Sequence, residues 1–137
     1  MTASLRDHVT GLETRATLHA FLDARDVSAP LAVVLCDVVG LKATNDRGGF
    51  SAGDAVLRRA ADRLRMAAPD AILHARLGGD ECVGVFTGPA AATDAARARE
   101  RLTASGDPTL RAAADTLRPG ETVPAFVDRL YATLRRC

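Results

Sequence analysis

The sequence predicts a mixed α/β (α+β) fold of the ferredoxin-like or palm type, in which one sheet packs against helices. After one short helix, the predicted elements follow in the order β, α, β, β, α, β, and a last helix is appended. This order is typical of sandwiches whose first and third strands lie side by side at the centre of the sheet. The run LAVVLCDV at 31–38 is short, apolar and rich in β-branched residues, which indicates a strand buried on both faces. We expect the helices to cover one face of the sheet.

Hydrophobic periodicity and turn residues place the other elements. Helices are predicted over residues 16–22, from near Ser51 to the Pro69-Asp70 break, over 90–104 and over 123–134. Two short strands, 71–77 and 82–86, flank a Gly-Gly-Asp-Glu hairpin, where glycine is expected to supply positive-φ positions. A last strand is predicted over 109–117, although its alanine run would suit a helix equally. The Asn-, Asp- and Gly-rich stretch 43–49 predicts a loop.

Length and composition predict a single domain over residues 1–137 and exclude several classes of partner. The net charge is +1, from 18 basic and 17 acidic residues, so bulk electrostatics favour neither nucleic acid nor an anionic membrane surface. The chain shows no apolar run long enough to span a membrane and no signal-peptide pattern, so a cytoplasmic location is expected. Cys36 and Cys82 lie in apolar runs without metal-ligand spacing, which favours buried structural thiols.

Two acidic positions are predicted to meet at one edge of the sheet. Asp37 ends the first strand, and Asp80 and Glu81 lie at the tip of the hairpin between the next two strands. Two carboxylates and a backbone carbonyl can hold Mg²⁺ while leaving positions open for phosphate oxygens. The alternative is structural: Asp37 caps a helix or a turn, and Gly78-Gly79-Asp80 is an ordinary hairpin.

Four further residues could belong to a nucleotide site. The absent side chains of Gly78 and Gly79 would let a nucleotide pass close to the backbone. Asn45 and Asp54 together offer the donors and acceptors that a guanine edge needs. The alternative is turn chemistry for Asn45 and a favourable helix-dipole position for Asp54.

Four motifs in order resemble the GGDEF family of diguanylate cyclase domains, and the resemblance covers most of the chain. The motifs are Asp7-x-x-Thr10-Gly11-Leu12-x-x-Arg15, Asp37-x-x-Gly40-Leu41-Lys42-x-x-Asn45-Asp46, Gly53-Asp54 and Arg76-Leu77-Gly78-Gly79-Asp80-Glu81. The resemblance implies a homodimer in which each subunit binds GTP. The 3′-hydroxyl of each GTP attacks the α-phosphate of the other, which gives cyclic di-GMP and pyrophosphate. The family uses two Mg²⁺ ions, for which Mn²⁺ can substitute.

The resemblance also assigns roles to residues. Asp37, the carbonyl of Val38 and Asp80 would hold metal, and Glu81 would be the neighbouring acidic group of the catalytic set. Asn45 and Asp54 would read guanine, Lys42 would approach the phosphates, and Gly78 and Gly79 would border the substrate. Asp7 and Arg15 are similar to a structural ion pair of the family. A separate sensor or effector protein is a further expected partner.

The sequence departs from the family pattern at several positions. Cys82 replaces the final Phe of the signature, Val39 stands where an acidic residue is frequent, and Phe50 where His is frequent. Leu134 falls at a lysine that helps to hold the triphosphate, although it could instead pack on the sheet. The inhibitory Arg-x-x-Asp motif would fall on 69–72, which reads Pro-Asp-Ala-Ile, so product inhibition through that site is not expected. These departures leave open a catalytically weak or inactive domain that acts as a nucleotide-binding or protein-interaction module.

Overall fold

The computed structural model describes residues 6–137 and contains one four-stranded sheet with four helices. The strands are β1 (Leu31–Val38), β2 (Leu73–Arg76), β3 (Glu81–Thr87) and β4 (Leu110–Thr116). The helices are α1 (Arg15–Ala24), α2 (Leu41–Ala67), α3 (Ala91–Thr103) and α4 (Val123–Arg135). The order of strands along the chain agrees with the prediction, and the alanine-rich segment that suited either state forms a strand.

The sheet is antiparallel throughout, in the spatial order β2-β3-β1-β4. The first and third strands are therefore central neighbours, as predicted. In this register Asp37 of β1 lies opposite Glu81 of β3 on one side and opposite Arg111 of β4 on the other. The carboxyl end of β1 consequently meets the start of the β2–β3 hairpin, which brings the predicted acidic residues to one edge of the sheet.

Helices cover both faces of the sheet, so the prediction of a single covered face was wrong. One face packs against α2 and α3, through a core that includes Val34, Leu64 and Leu102. The other packs against α1 and α4, through a core that includes Leu35, Leu18 and Phe126. All eight residues of β1 are buried, because alternate side chains point into each of these two layers.

The second helix begins earlier than predicted, so the loop expected over 43–49 is helical for most of its length. Gly40 adopts a left-handed conformation with φ 77°, which lets the chain turn from β1 directly into α2 at Leu41. The helix is interrupted once, at Gly49, whose φ of 74° and ψ of −177° are not helical. The two parts of α2 therefore meet at a kink, and this kink places residues 41–48 beside the hairpin.

Cys36 and Cys82 lie opposite each other on β1 and β3, and both are buried and free. Burial raises the pKa of the Cys82 thiol to about 12 and raises that of Cys36 as well. Both thiols are therefore protonated at neutral pH, which agrees with their predicted structural role. Within residues 6–137, no helix has the length and hydropathy of a membrane span.

Candidate functional site

A cleft of about 430 Å³ opens between the first part of α2 and the tip of the β2–β3 hairpin. Five of the predicted site residues line it, together with the aromatic ring at position 50: Lys42, Asn45, Asp54, Gly79, Asp80 and Phe50. The kink in α2 brings Asn45 and Asp54 to the same wall, although nine positions separate them. The cleft thus brings the residues suggested for base recognition together with Lys42, Gly79 and Asp80, whereas the other predicted site residues do not line it: Asp37, Val38, Gly78 and Glu81.

Asn45 presents an acceptor that has no hydrogen-bond partner among residues 6–137. Its Oδ1 atom is buried and accepts no hydrogen bond from the described residues. A Cβ atom at Gly53 would lie 1.8 Å from this oxygen, so only glycine leaves room for the amide. A buried oxygen without a partner is costly, and a donor from a ligand would satisfy it.

The two glycines of the hairpin have different structural roles, and neither adopts a positive φ. Among residues 6–137 positive φ angles occur only at other glycines, so the expected turn geometry was wrong here. A Cβ at Gly78 would lie 2.2 Å from Oε1 of Glu81, so glycine at this position makes room for the Glu81 side chain. Gly79 faces open space and borders the cleft, as expected for a residue along which a ligand passes.

Asp37 and Asp80 are adjacent, as the topology predicted. The Val38 amide donates to the carbonyl of Asp80 at 3.2 Å, which ties the end of β1 to the hairpin tip. Burial and the neighbouring negative charge of Asp37 raise the pKa of Asp80 above its ordinary value. The region therefore concentrates negative charge that a cation would stabilise.

An arginine on the neighbouring strand β4 forms an ion pair with Asp37. Arg111 donates from Nε to Oδ1 of Asp37 at 3.0 Å and from Nη2 to Oδ2 at 2.5 Å. The Asp37 side chain is only 7% exposed, whereas that of Arg111 is 39% exposed. Hydrogen bonding to Asp37 raises the pKa of Arg111 further. Arg111 thus holds both oxygens of Asp37, and Asp37 does not line the cleft.

The donor chemistry at this edge fits a hard divalent cation. Two aspartates and the backbone of Val38 converge there, and oxygen ligands of this kind are those that Mg²⁺ prefers. Within residues 6–137, no group of three or more His, Cys, Asp or Glu side chains is arranged to hold a metal alone. The remaining ligands would have to come from backbone, water or phosphate, which is usual for Mg²⁺ at nucleotide sites.

Glu81 points away from the cleft, toward the layer formed by α1 and α4. It lies on β3 with the same alternation as Val83 and Val85, which belong to that layer. The Tyr131 hydroxyl of α4 donates to Oε1 of Glu81 at 2.9 Å. Burial and this hydrogen bond raise the pKa of Tyr131 to about 12. Tyr131 thus holds the Glu81 carboxylate, a role that the sequence did not reveal.

Arg76 connects the hairpin turn to the start of the chain. It donates to both carboxylate oxygens of Asp7, at 3.1 and 3.3 Å, and to the carbonyls of Gly78 and Gly79 at 3.3 and 2.7 Å. Burial raises the pKa of Asp7, but hydrogen bonds from Thr10 and the Arg76 charge outweigh it, so the net pKa is lowered. The predicted pairing of Asp7 with Arg15 was therefore wrong.

The physical reason for this pairing is that Glu13 pairs with β2 while residues 6–12 fold back on Glu13. The amide of Glu13 donates to the carbonyl of His74 at 2.9 Å, and the amide of Arg76 donates to the carbonyl of Glu13 at 2.9 Å. These bonds place Asp7 beside the end of β2. Arg15 instead lies on the exposed side of α1, where its Nε bonds to the His19 ring at 3.3 Å.

Replacing Arg76 by alanine is expected to destabilise the hairpin turn. The substitution removes the ion pair with Asp7 and both bonds to the glycine carbonyls, and bonds to charged groups contribute about 1.5–3 kcal/mol each to stability. Urea denaturation should show a loss of about 2 kcal/mol in the free energy of unfolding. Arg58→Ala, at an exposed position of α2, is the matched control and should change stability little. Equal stability of the Arg76→Ala variant and the wild type would contradict this role.

Three predicted departures from the family pattern have distinct environments. Leu134 is 2% exposed and packs with Leu130 and Phe126 against the sheet, so it is a core residue and does not face a phosphate. Phe50 is 82% exposed and borders the cleft, whereas Val39 is 49% exposed at the end of β1. The structural alternative for Leu134 is therefore confirmed.

Comparison with known proteins identifies the family. The family described as "Diguanylate cyclase, GGDEF domain" matches residues 4–118. The chain belongs to the GGDEF domain family. It is 36% identical over 122 residues to the diguanylate cyclase TpbB of Pseudomonas aeruginosa, an alignment that covers 85% of this chain and 27% of TpbB. The present GGDEF domain therefore spans about a quarter of the length of that relative.

Solved structures of GGDEF proteins share the fold. Diguanylate cyclase SiaD of P. aeruginosa, in complex with its activator SiaC, superimposes with a TM-score of 0.80 at 25% identity, covering 98% of this chain and 58% of SiaD. A truncated TpbB from the same organism, comprising only the GGDEF domain, gives a TM-score of 0.76 at 27% identity and covers 96% of this chain and 87% of that chain. The predicted fold class is confirmed.

Sequence reasoning missed three contacts that shape the site: Arg111 with Asp37, Tyr131 with Glu81, and Arg76 with Asp7. Their partners lie 74, 50 and 69 positions apart in the chain, so no local motif reveals them. The pairing register of β1 with β4 would have identified Arg111, because it places that residue directly opposite Asp37. The contact of Tyr131 with Glu81 depends on the packing of α4 against the sheet.

Proposed function

We propose that this GGDEF domain binds GTP in the cleft and that two copies condense two GTP molecules to cyclic di-GMP. The main support is the grouping of the predicted recognition residues around one cleft, where the buried Asn45 acceptor has no partner within the described part of the chain. Its membership of the family described as "Diguanylate cyclase, GGDEF domain" supports the reaction class.

Asn45 and Asp54 are proposed to recognise the guanine base. The Watson–Crick edge of guanine carries donors at N1 and at its exocyclic amine. The Oδ1 of Asn45 and the carboxylate of Asp54 are acceptors on the same wall of the cleft, so they match those donors. Adenine lacks the exocyclic amine at that position and would leave an acceptor unsatisfied. The pair thus favours guanine over adenine.

The polyphosphate is proposed to extend from the base toward the hairpin tip. Lys42 is exposed at the start of α2 and can reach phosphate oxygens as a flexible point charge. Gly79 leaves the backbone open to close approach. The α-phosphate would then lie near the edge formed by Asp37, Val38 and Asp80.

The proposed reaction forms one phosphodiester bond for each attack of a 3′-hydroxyl on an α-phosphate, and each attack releases pyrophosphate and a proton. Divalent ions bound at this edge would neutralise the phosphate charge and align the reacting oxygens. Asp37, Asp80 and the Val38 carbonyl are the residues that would hold them. Glu81 faces the layer formed by α1 and α4, where Tyr131 holds it, so it would contribute to this edge only through its negative charge.

Two nucleotides are needed for the product, whereas the cleft has one set of base-recognition residues. The second GTP is therefore proposed to come from a second copy of the chain, in a homodimer that forms at least transiently. The SiaD–SiaC complex shows that another diguanylate cyclase has an activator protein. A separate activating partner is proposed for this domain on that basis.

Nucleotide binding and product formation are tested separately. Melting temperatures are recorded with GTP, ATP, GDP and cyclic di-GMP, with and without Mg²⁺, because a ligand that binds only the folded state raises the melting temperature. Product is then sought by chromatography after incubation with Mg²⁺ and GTP. Stabilisation by GTP with no cyclic di-GMP formed would support a nucleotide-binding module instead. No stabilisation by any guanine nucleotide would reject the proposed site.

Replacing Asn45 by alanine is expected to weaken GTP binding by about five- to a hundredfold, because a buried hydrogen bond to the base contributes about 1–3 kcal/mol. Calorimetric titration of GTP measures this loss. Asp46→Ala, at the exposed neighbouring position, is the control and should leave the affinity unchanged. If Asn45→Ala binds GTP as tightly as the wild type, Asn45 does not contact the base.

A further inference from the structure

The bidentate contact between Arg111 and Asp37 uses the carboxylate that a divalent ion would need. Both oxygens of Asp37 accept a hydrogen bond from the same guanidinium, at 3.0 and 2.5 Å. Antiparallel pairing of β1 with β4 fixes the two residues directly opposite each other, so the contact follows from the register of the sheet. The Asp37 side chain is nearly buried, whereas the Arg111 side chain that contacts it is partly exposed.

We propose that Arg111 is an internal cation that competes with the divalent ion for Asp37, so that metal binds at this edge only when the guanidinium leaves the carboxylate. The inference rests on the proposed function insofar as it assigns Asp37 to metal binding. It adds a residue outside the signature motifs that sets the metal affinity of this domain. Arg111 acts through Asp37 and is a positioning residue.

The proposed competition between Arg111 and the divalent ion for Asp37 is electrostatic. A guanidinium and a divalent ion at one carboxylate repel each other, and the low exposure of Asp37 reduces solvent screening of that repulsion. Arg111 is more exposed than its partner, and its long side chain can turn toward solvent without disturbing β4. Once released, it lies at the same edge as the proposed phosphates, where a planar guanidinium binds phosphate oxygens well.

The test measures Mn²⁺ binding in the absence of nucleotide, by calorimetry and by the electron paramagnetic resonance signal of free Mn²⁺. Arg111→Gln removes the positive charge and keeps much of the side-chain volume. We expect the variant to bind Mn²⁺ at least about fivefold more tightly than the wild type, which corresponds to about 1 kcal/mol. Mn²⁺ should also raise the melting temperature of the variant more than that of the wild type, because it replaces the lost partner of Asp37.

Two controls separate competition from general charge effects. Arg97→Gln makes the same change in net charge at an exposed position of α3 and should leave Mn²⁺ affinity unchanged. Adding Asp37→Asn to Arg111→Gln should abolish the gain in affinity. Unchanged or weaker Mn²⁺ binding by a folded Arg111→Gln variant would overturn the proposal, as would an equal gain in Arg97→Gln.

The wild-type protein provides a second measurement in case the variant does not fold. The side-chain Nε–H resonance of Arg111 should shift on titration with Mg²⁺ as the contact with Asp37 breaks. Saturating Mg²⁺ binding at Asp37, seen from backbone resonances of residues 37–39, with an unmoved Arg111 resonance would overturn the proposal.

Failure of this inference is distinguishable from failure of the proposed function. Tighter Mn²⁺ binding by Arg111→Gln without cyclic di-GMP formation by either protein would support the competition and reject the cyclase activity. Cyclic di-GMP formation by the wild type with no change in Mn²⁺ affinity in the variant would do the reverse.

Discussion

Replacing Leu134 by lysine is expected to lower the free energy of unfolding by about 3 kcal/mol or more and to leave GTP binding no tighter. Leu134 is buried between α4 and the sheet, so the variant loses apolar packing and places a charged amine at the edge of a core. For a domain of this size a loss of 3 kcal/mol lowers the melting temperature by about 10 °C. Thermal denaturation measures the stability, and calorimetric titration of GTP measures the affinity.

Two matched variants show whether burial is the cause. Leu134→Met keeps the volume and the apolar character and should cost less than about 1.5 kcal/mol. Arg135→Lys places a lysine at the exposed neighbouring position and should leave stability nearly unchanged. An undiminished melting temperature of Leu134→Lys, together with tighter GTP binding, would show that position 134 faces the phosphates after all.

The strands of this fold could be predicted because buried strands form continuous apolar runs in the sequence. The segment 31–38 contains no surface-facing position, and the structure buries every residue of it. The same fact implied a cover on both faces of the sheet, since one helical layer can bury only alternate side chains. The apolar run of β1 therefore already indicated two covered faces of the sheet, contrary to the prediction of one.

The start of α2 could not be predicted from local propensity. Asn45, Asp46 and two glycines favour turns, and each has a low helix propensity. The left-handed Gly40 nevertheless directs the chain into a helix immediately after β1, and Asn45 then packs against Gly53 in the second part of that helix. The contact that decides this conformation joins residues eight positions apart across a kink, which a pattern of period 3.6 does not describe.

Part of the candidate site could also be predicted from the sequence, and part could not. The residues on α2 and at the hairpin tip were identifiable because motifs mark them and the strand order brings the two elements together. The partners of Asp37 and Glu81 were not, because Arg111 lies in an alanine-rich strand and Tyr131 on a helix of the opposite layer. Predicting them requires the register of β4 and the packing of α4.

Replacing Asp80 by asparagine is expected to abolish the Mg²⁺-dependent stabilisation by GTP while leaving the free domain folded. Burial and the Asp37 charge raise the pKa of Asp80, so its ionised form costs stability above that pKa and the cost disappears as the pH falls through it. Removing the charge at neutral pH should therefore stabilise the free domain slightly, by less than about 1 kcal/mol because the side chain is half-exposed. The expected ligand effect is larger, since a ligand at about a hundred times its Kd stabilises the folded state that binds it by about 2.7 kcal/mol.

Melting temperatures with GTP, with and without Mg²⁺, separate these two effects of Asp80→Asn. The wild type should show a Mg²⁺-dependent increase, which the variant should lack even though its ligand-free melting temperature is equal or slightly higher. Asp70→Asn removes one negative charge at an exposed position and should behave as the wild type does with both ligands. A variant that is less stable without ligand would mean that Asp80 supports the hairpin. Equal Mg²⁺-dependent shifts in the wild type and Asp80→Asn would exclude Asp80 from metal binding, because its carboxylate is the one proposed metal ligand that lines the cleft.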